Sequence, residues 1–271
     1  TGQRKEEYRL KLENEKNHIP LKYNDLPKEL YIPVNLTNLN RQKQALETLE
    51  NRPLYEQKNL LELTVSKNES RWQEVIPEDI DEWYVLKDET KKGTDAQRRF
   101  VSKALATPDF VLLEGPPGSG KTTAIMELIV QLIHQGKRVL LSASTHVAID
   151  NVLERLEEKG LMEGIFPIRI GDQKNVADSI KKYQIDNVVG KESEYQDIVI
   201  DAANLVCGTT IGLLRNPKFG RGIEHGEPII PQFDYLIIDE SSKTTFQEFL
   251  VPAIYAKHWI LVGDVKQLSP F

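Results

Sequence analysis

The chain has 271 residues, 39% of them hydrophobic and 28% charged, enough for one large domain or two smaller ones with a sizeable core. Lys and Arg number 35 against 41 Asp and Glu, a formal net charge of −6, so the chain as a whole offers no basic footprint for nucleic acid and leaves room only for a local basic groove. No apolar run approaches the ~18 residues of a membrane span. The single cysteine, Cys207, excludes an internal disulfide and a Cys-rich metal site and fits an intracellular, cytoplasmic setting, with the nucleus left open.

From Thr1 to Lys28 charges of both signs alternate with few large apolar residues, the pattern of a solvated helix or a mobile lead-in. The start is charged and carries neither Met nor the features of a signal peptide, so the chain reads as a piece of a longer one. Between Asn40 and Asn51, Ala45, Leu46 and Leu49 fall at i, i+1 and i+4 and predict one apolar face of a short helix ended by Pro53. Leu60, Leu61 and Leu63 predict a second helix. Trp72, Trp83, Tyr84, Val85 and Leu86 read as packing residues, with Trp83 to Leu86 a candidate strand leading into the next domain. Residues 1–92 are thus expected to form a mostly helical N-terminal extension that could meet a protein partner.

From Gly93 onward short apolar strands alternate with amphipathic helices, the signature of βαβ units and a parallel sheet. The predicted strands are Phe110 to Leu113, Val139 to Ser142, Phe166 to Ile170, Leu205 to Cys207, Tyr235 to Ile238 and Trp259 to Val262. After the first strand Ala124, Ile125, Leu128, Ile129, Leu132 and Ile133 recur at i, i+1, i+4, i+5, i+8 and i+9. That is a helix buried against a sheet, with Gly136 placed to end it. Residues 160–204 are more polar and read as an insertion between strands, with a helix near Val176 to Tyr183. The expected fold class is α/β, a P-loop parallel sheet with flanking helices.

Gly115, Pro116, Pro117, Gly118, Ser119, Gly120, Lys121 and Thr122 match G-x-x-x-x-G-K-[ST] between a predicted strand and a predicted helix, the setting this motif's mechanism requires. The glycines let backbone N–H groups face a polyphosphate, and the helix N-terminus adds its positive dipole. Lys121 would reach the β and γ phosphates, Thr122 would offer a hydroxyl to Mg²⁺, and Thr123 would cap the helix or touch the α phosphate. The apolar run Tyr235 to Ile238 delivers Asp239 and Glu240 to the C-terminal edge of the sheet. Asp239 would hold the metal and Glu240 would polarise the attacking water as general base. The cofactors read from these residues are ATP and Mg²⁺. His18, His134, His225 and His258 have no metal-ligand spacing.

About one helix further on comes Ile260-Leu-Val-Gly263-Asp264-Val-Lys-Gln267-Leu268-Ser-Pro270. With this stretch the chain resembles superfamily 1 helicases, in the branch that contains senataxin and the nonsense-mediated-decay helicase. The resemblance implies a RecA-like lobe and makes Gln267 the sensor that couples the γ phosphate to bound nucleic acid. Thr94-Asp-Ala-Gln97 resembles the family's motif ahead of the phosphate loop, where Gln97 would read the adenine edge. The same residues also fit a capping box S/T-x-x-E/Q, and both roles can coexist.

Ser142-Ala-Ser-Thr145-His146 resembles a motif that presents hydroxyl and amide groups to the backbone of a single strand. Here Thr145 and His146 stand where the family more often has Ser-Asn, and a plain N-cap explains Thr145 as well. Cys207-Gly-Thr209-Thr210 is similar to the next such contact. After Asp239 and Glu240 the family commonly continues x-x-Gln where this chain has Lys243. The resemblance runs from about Gly93 to Phe271, so no segment for a second RecA-like lobe is expected here. The chain is read as the first motor lobe of an ATP-dependent nucleic-acid helicase or translocase. Its partners would be a single strand of RNA or DNA and the second lobe, which supplies the arginines for turnover. A non-enzymatic ATP-binding switch and the motor of a nucleic-acid end-processing enzyme are the alternatives.

Overall fold

The computed structural model describes residues 37–51, 53–65, 74–190, 193–219 and 229–267. Thr1 to Lys28, Trp72, His18, His225, Leu268 and Pro270 lie outside them, as does the side chain of Leu63. Six strands, β1 (Phe110–Glu114), β2 (Val139–Ala143), β3 (Pro167–Ile170), β4 (Leu205–Thr209), β5 (Phe233–Asp239) and β6 (Ala256–Gly263), form one sheet in the order β1-β6-β5-β2-β4-β3. Every pairing is parallel. All six expected strands are present, most of them one to three residues longer than their apolar runs.

A parallel sheet must be covered on both faces, and alternate residues of each strand go to opposite sides. Val139, Leu141 and Ala143 of β2 join one core with Phe100, Leu128 and Val152, whereas Leu140 joins the other with Phe249 and Trp259. The helices that cover the first face are α3 (Thr94–Ala106), α4 (Lys121–His134) and α5 (His146–Glu158). In α4 all six residues of the apolar pattern are buried. Gly136, at φ 71, then ends the helix, with its N–H on Ile133 O and that of Lys137 on Leu132 O, a turn that satisfies the last carbonyls.

The second face is covered in part by α1 (Thr37–Asn51) and α2 (Lys58–Val65), numbered ahead of the three above in chain order, whose Ala45, Leu49 and Leu60 are buried in the same core as Leu236 and Trp259. Leu46 does not join that face: it is 37% exposed, because one step of about 100° turns it away from Ala45. The face is completed by α6 (Ile185–Val189), α7 (Ser193–Ala202) and α8 (Phe246–Ala253), to which Ile185, Ile200, Phe249 and Leu250 contribute.

Two further expectations are corrected. Trp83 to Leu86 is not a strand. The N–H groups of Tyr84, Val85 and Leu86 go to the carboxylate of Glu127 instead of to a neighbouring strand. The helix expected near Val176 to Tyr183 is reduced to a single 3-10 turn, Lys181–Tyr183, because Val176 and Ile180 are drawn down singly into the core and Ala177 N–H is held by Asp150.

Asp150, on α5, and Arg169, on β3, form a buried ion pair at 2.7 Å, 5% and 0% exposed at the side chain. Asp150 Oδ2 also accepts from Ala177 N–H, and Arg169 donates to Ile170 O. The pair therefore fixes the polar segment after β3 to the helix that follows β2. Removing one member strands a charge in the core, at a cost of roughly 3–5 kcal/mol. Asp150→Ala should lose stability of that order in urea unfolding, and Asp150→Leu with Arg169→Met should recover most of it. A loss below about 1 kcal/mol for the single variant would mean that water reaches the pair.

Candidate active site

The register of the strands brings the chemistry-bearing residues to one edge. Glu114, the last residue before the phosphate loop, pairs with Gly263, and Ala143 pairs with both Asp239 and Thr209. The C-terminal ends of β1, β6, β5, β2 and β4 thus stand in a row, the place where open parallel sheets hold ligands. The loop itself is tied to β6 by Gly115 N–H on Gly263 O at 3.1 Å. Gly263 has no room for a side chain, since a Cβ there would lie 2.8 Å from Ser241 Oγ and 3.0 Å from Ser242 N.

In the loop Pro116 to Ser119 are exposed, and Pro116 O accepts from Ser119 N–H. Gly118 and Gly120 have φ 77 and 83, a region open to glycine at little cost. No side chain caps the first turn of α4, which leaves its first N–H groups for an anion. Lys121 Nζ folds back on Gly115 O and Pro116 O.

Two cavities meet at Lys121 and Thr122. One, of about 760 Å³, is lined by these two with Thr145, Asp239, Glu240 and Gln267. The other, of about 380 Å³, is lined by them with Thr123, Gln97, Ser119 and Arg155. A chain of phosphates crossing the loop would have carboxylates at one end and an amide at the other.

Gln97 bears on the phosphate loop directly. Its Nε2 donates to Ser119 O at 2.9 Å, and a Cβ on Gly120 would lie 2.1 Å from that nitrogen. The capping-box reading of Thr94 and Gln97 is corrected: the N-cap is Gly93, with no side-chain cap, and Thr94 is already the first helical residue.

Asp239 is 8% exposed, and burial, aided by the neighbouring Glu240 charge, pushes its carboxyl above the usual carboxylate range. Thr122 lines the same cavity, so a hydroxyl and an electron-rich carboxylate are available together. Such hard oxygen donors suit Mg²⁺, and a cation there would relieve the Asp239 desolvation.

Glu240 is the one non-glycine residue with positive φ, at 54, among those described. A bulky residue in that region is strained, and the 3-10 turn Ser241–Lys243 that follows brings Lys243 back to it. Lys243 Nζ lies 2.9 Å from Glu240 Oε1. Thr145 Oγ1 and Ser144 Oγ donate to Oε2 at 3.1 and 3.4 Å. Burial works against the charged carboxylate, but Lys243 and the two hydroxyls outweigh it and hold Glu240 below its ordinary range. Gln267 belongs to a turn on Asp264: its N–H bonds Asp264 O at 3.0 Å.

Thr145 is exposed and is the N-cap of α5, accepting from Ala148 N–H at 3.3 Å, so the plain cap is real and its hydroxyl serves Glu240 as well. His146 follows it, with Nδ1 2.9 Å from Arg169 Nη2. A guanidinium only donates, so Nδ1 is the acceptor and the ring is the neutral Nε2–H tautomer. Thr209 and Thr210, in contrast, are 8% and 4% exposed. Thr209 Oγ1 accepts from Gly212 N–H at 3.0 Å and closes the turn after β4, while Thr210 N–H bonds Ala143 O at 3.3 Å. Lys243 and Ser144 were not expected in the Glu240 network, although their spacing of three after Glu240 and one before Thr145 was in plain sight. Arg155 carried no sequence signal.

A phosphate loop on a doubly covered parallel sheet, with Asp239 and Glu240 one strand away from its partner strand, defines a RecA-like P-loop nucleotide-binding lobe. The chain belongs to the AAA domain family, whose model matches residues 92–197 and 189–271. It is 34% identical over 181 residues to the DNA replication ATP-dependent helicase/nuclease DNA2 of Saccharomyces cerevisiae, covering 64% of this chain and 11% of that protein. It is 28% identical over 221 residues to the DNA-binding protein SMUBP-2 of Rattus norvegicus, covering 65% of this chain and 22% of that one. The match therefore spans under a quarter of these relatives' lengths. Among solved structures the UvsW helicase from Bacteriophage T4 matches with a TM-score of 0.44 and 15% identity, over 63% of this chain and 52% of that one.

Lys121→Ala, which removes the loop's cation, should weaken binding of a triphosphate analogue at least about tenfold, ~1.4 kcal/mol, in calorimetry on the folded variant. Unchanged affinity would sink the assignment of the phosphate site.

Proposed function

We propose that the chain is the first motor lobe of an ATP-dependent nucleic-acid helicase or translocase, binding Mg-ATP across the two cavities and a single strand at the same sheet edge. The observation that carries this is the common cavity of Lys121, Thr122, Asp239, Glu240 and Gln267. Thr122 and Asp239 would hold Mg²⁺, which when bound neutralises charge on the β and γ oxygens. Lys121 would leave Gly115 O and Pro116 O for those same oxygens. Gln97, beside the loop, is suited to the adenine edge.

Glu240 would take the proton of the attacking water. Both of its oxygens are engaged, by Lys243 on one side and by Thr145 and Ser144 on the other, so a partner that gives way would leave it the stronger base. Thr145 is also the exposed hydroxyl that a strand phosphate would recruit. Strand binding and release of the base are thereby linked through one O–H. The retention of both Glu240 and Gln267 speaks for turnover and against a switch that only binds ATP. A motor attached to a nuclease is the second reading, favoured by the similarity to the yeast helicase/nuclease. No helix among the described residues is long and apolar enough to cross a membrane.

Strand binding should be directed to phosphates, weaken as salt rises and ignore base sequence, since the hydroxyl and N–H donors at the start of α5 suit backbone oxygens. Fluorescence anisotropy at several salt concentrations reads this. A strong preference for one base sequence at equal length would contradict it.

Hydrolysis needs a further cation on the γ phosphoryl group. Among the described residues the cavity with Glu240 is lined by Lys121 and Lys174 but by no arginine. Arg138 and Arg169 are spent on backbone carbonyls. An arginine finger contributes ~10³ to 10⁵ in rate, so residues 1–271 alone should bind ATP with little strand-stimulated turnover, and adding a second RecA-like lobe should restore it. Robust phosphate release from the isolated chain, abolished by Glu240→Gln and indifferent to the added lobe, would overturn this.

A further inference from the structure

Glu127 lies in the middle of α4, fully buried, and none of the ion pairs among the described residues involves it. Its carboxylate is met instead by a row of backbone donors. Oε2 accepts from the N–H groups of Tyr84, Val85 and Leu86 at 3.1, 2.6 and 2.9 Å. Oε1 accepts from Tyr84 N–H at 3.2 Å and from Gln131 Nε2 at 2.8 Å, and Gln131 donates in turn to Glu82 O at 2.6 Å. A buried carboxylate without a cation is costly. Convergent N–H donors offset that cost, and bonds to a charged acceptor are stronger than neutral ones.

The other edge of the same segment is also held. Leu86 O accepts from Arg98 Nε and Nη2 at 2.9 and 2.7 Å, and Lys87 O from Nη2 at 3.2 Å. The Arg98 guanidinium stands 4.8 Å over the Trp83 ring. The N–H side of the segment is therefore fixed by α4, which opens with Lys121 to Thr123, and the C=O side by α3, which carries Gln97. Glu127 is six residues beyond Lys121, ~9 Å along the helix axis at the usual rise. Val85, Leu86, Asp88, Lys91 and Lys92 then line the 380 Å³ cavity opposite Gln97 and Thr123. This is the cavity away from Asp239 and Glu240, where the base and sugar of a nucleotide held by the phosphate loop must go.

We propose that residues 83–92 form the nucleobase and ribose wall of the nucleotide site, and that Glu127 is the positioning residue that sets it against the phosphate loop. The inference rests on the reading of the site as one for a nucleoside triphosphate. It makes residues ahead of Gly93 part of the nucleotide site and assigns Glu127 a role in base recognition, apart from the phosphates.

The test compares Mg-ATP with magnesium tripolyphosphate, which has neither base nor sugar, in calorimetry on residues 1–271. Glu127→Gln should lower ATP affinity about tenfold and leave tripolyphosphate affinity unchanged. Arg98→Met, on the more accessible carbonyl side, should do the same in direction and decides the matter if Glu127→Gln does not fold. Equal loss for both ligands would mean that Glu127 acts on the phosphate loop through α4, and no loss for either in the folded variants would mean that the segment is no wall. Both results overturn the proposal. Unmutated chain that binds neither ligand would instead remove the nucleotide reading itself, and the wall with it.

Discussion

Parallel pairing of β5 between β2 and β6 is the constraint on which the site depends. The register that sets Ala143 against Asp239 and Ile238 against Leu261 brings the ends of three strands level. Side chains in a strand alternate faces, so a slip of one residue would carry Asp239 out of the edge and exchange its apolar predecessors between the two cores. Tyr235 and Ile237 sit in one core and Leu236 and Ile238 in the other. The same packing that stabilises the sheet thus fixes the position of a carboxylate. The loop after β1 is then bound to β6 through Gly115 and Gly263, so the phosphate site and the carboxylates share one rigid frame.

Charge at that edge is managed by proximity. Asp239 is buried beside Glu240, and each carboxylate raises the difficulty of keeping the other ionised. Glu240 is relieved by Lys243 and two hydroxyls, at the cost of a backbone in the left-handed region. Asp239 has one close donor, the N–H of Glu240 at 2.8 Å, and the more distant attraction of Lys121 and Lys243, and burial still holds it above its ordinary range, so it retains the stronger demand for a cation. The strain at Glu240 persists because the 3-10 turn behind it and the tight approach of Gly263 to Ser241 leave the chain no other path.

Away from the edge, irregular backbone is tied down by buried polar groups. Glu127 serves the segment ahead of α3, and the Asp150–Arg169 pair serves the segment after β3. In both places the chain lacks a strand partner and its N–H groups would otherwise be left without acceptors. Arg169 also fixes the tautomer of His146, so a group in the core sets the donor presented at the start of α5.

The period-two and period-3.6 patterns, the phosphate loop and the Asp239–Glu240 pair were legible in the sequence, because each depends on neighbours a few residues apart. Helix α4 and the six strands follow from burial of apolar faces, and the loop from glycines next to a helix start. What the tertiary structure decided depends on residues far apart in the chain. Trp83 to Leu86 has the composition of a strand, yet a carboxylate some forty residues away takes its N–H groups. Thr209 ends β4, and its hydroxyl is taken by the N–H of Gly212 in the turn that follows. Gln97 fits a capping box, and the N-cap fell to Gly93 instead. Local spacing sets which element forms. Which polar group meets which is decided only when distant segments come to share one desolvated site, where an unpaired donor costs too much to leave.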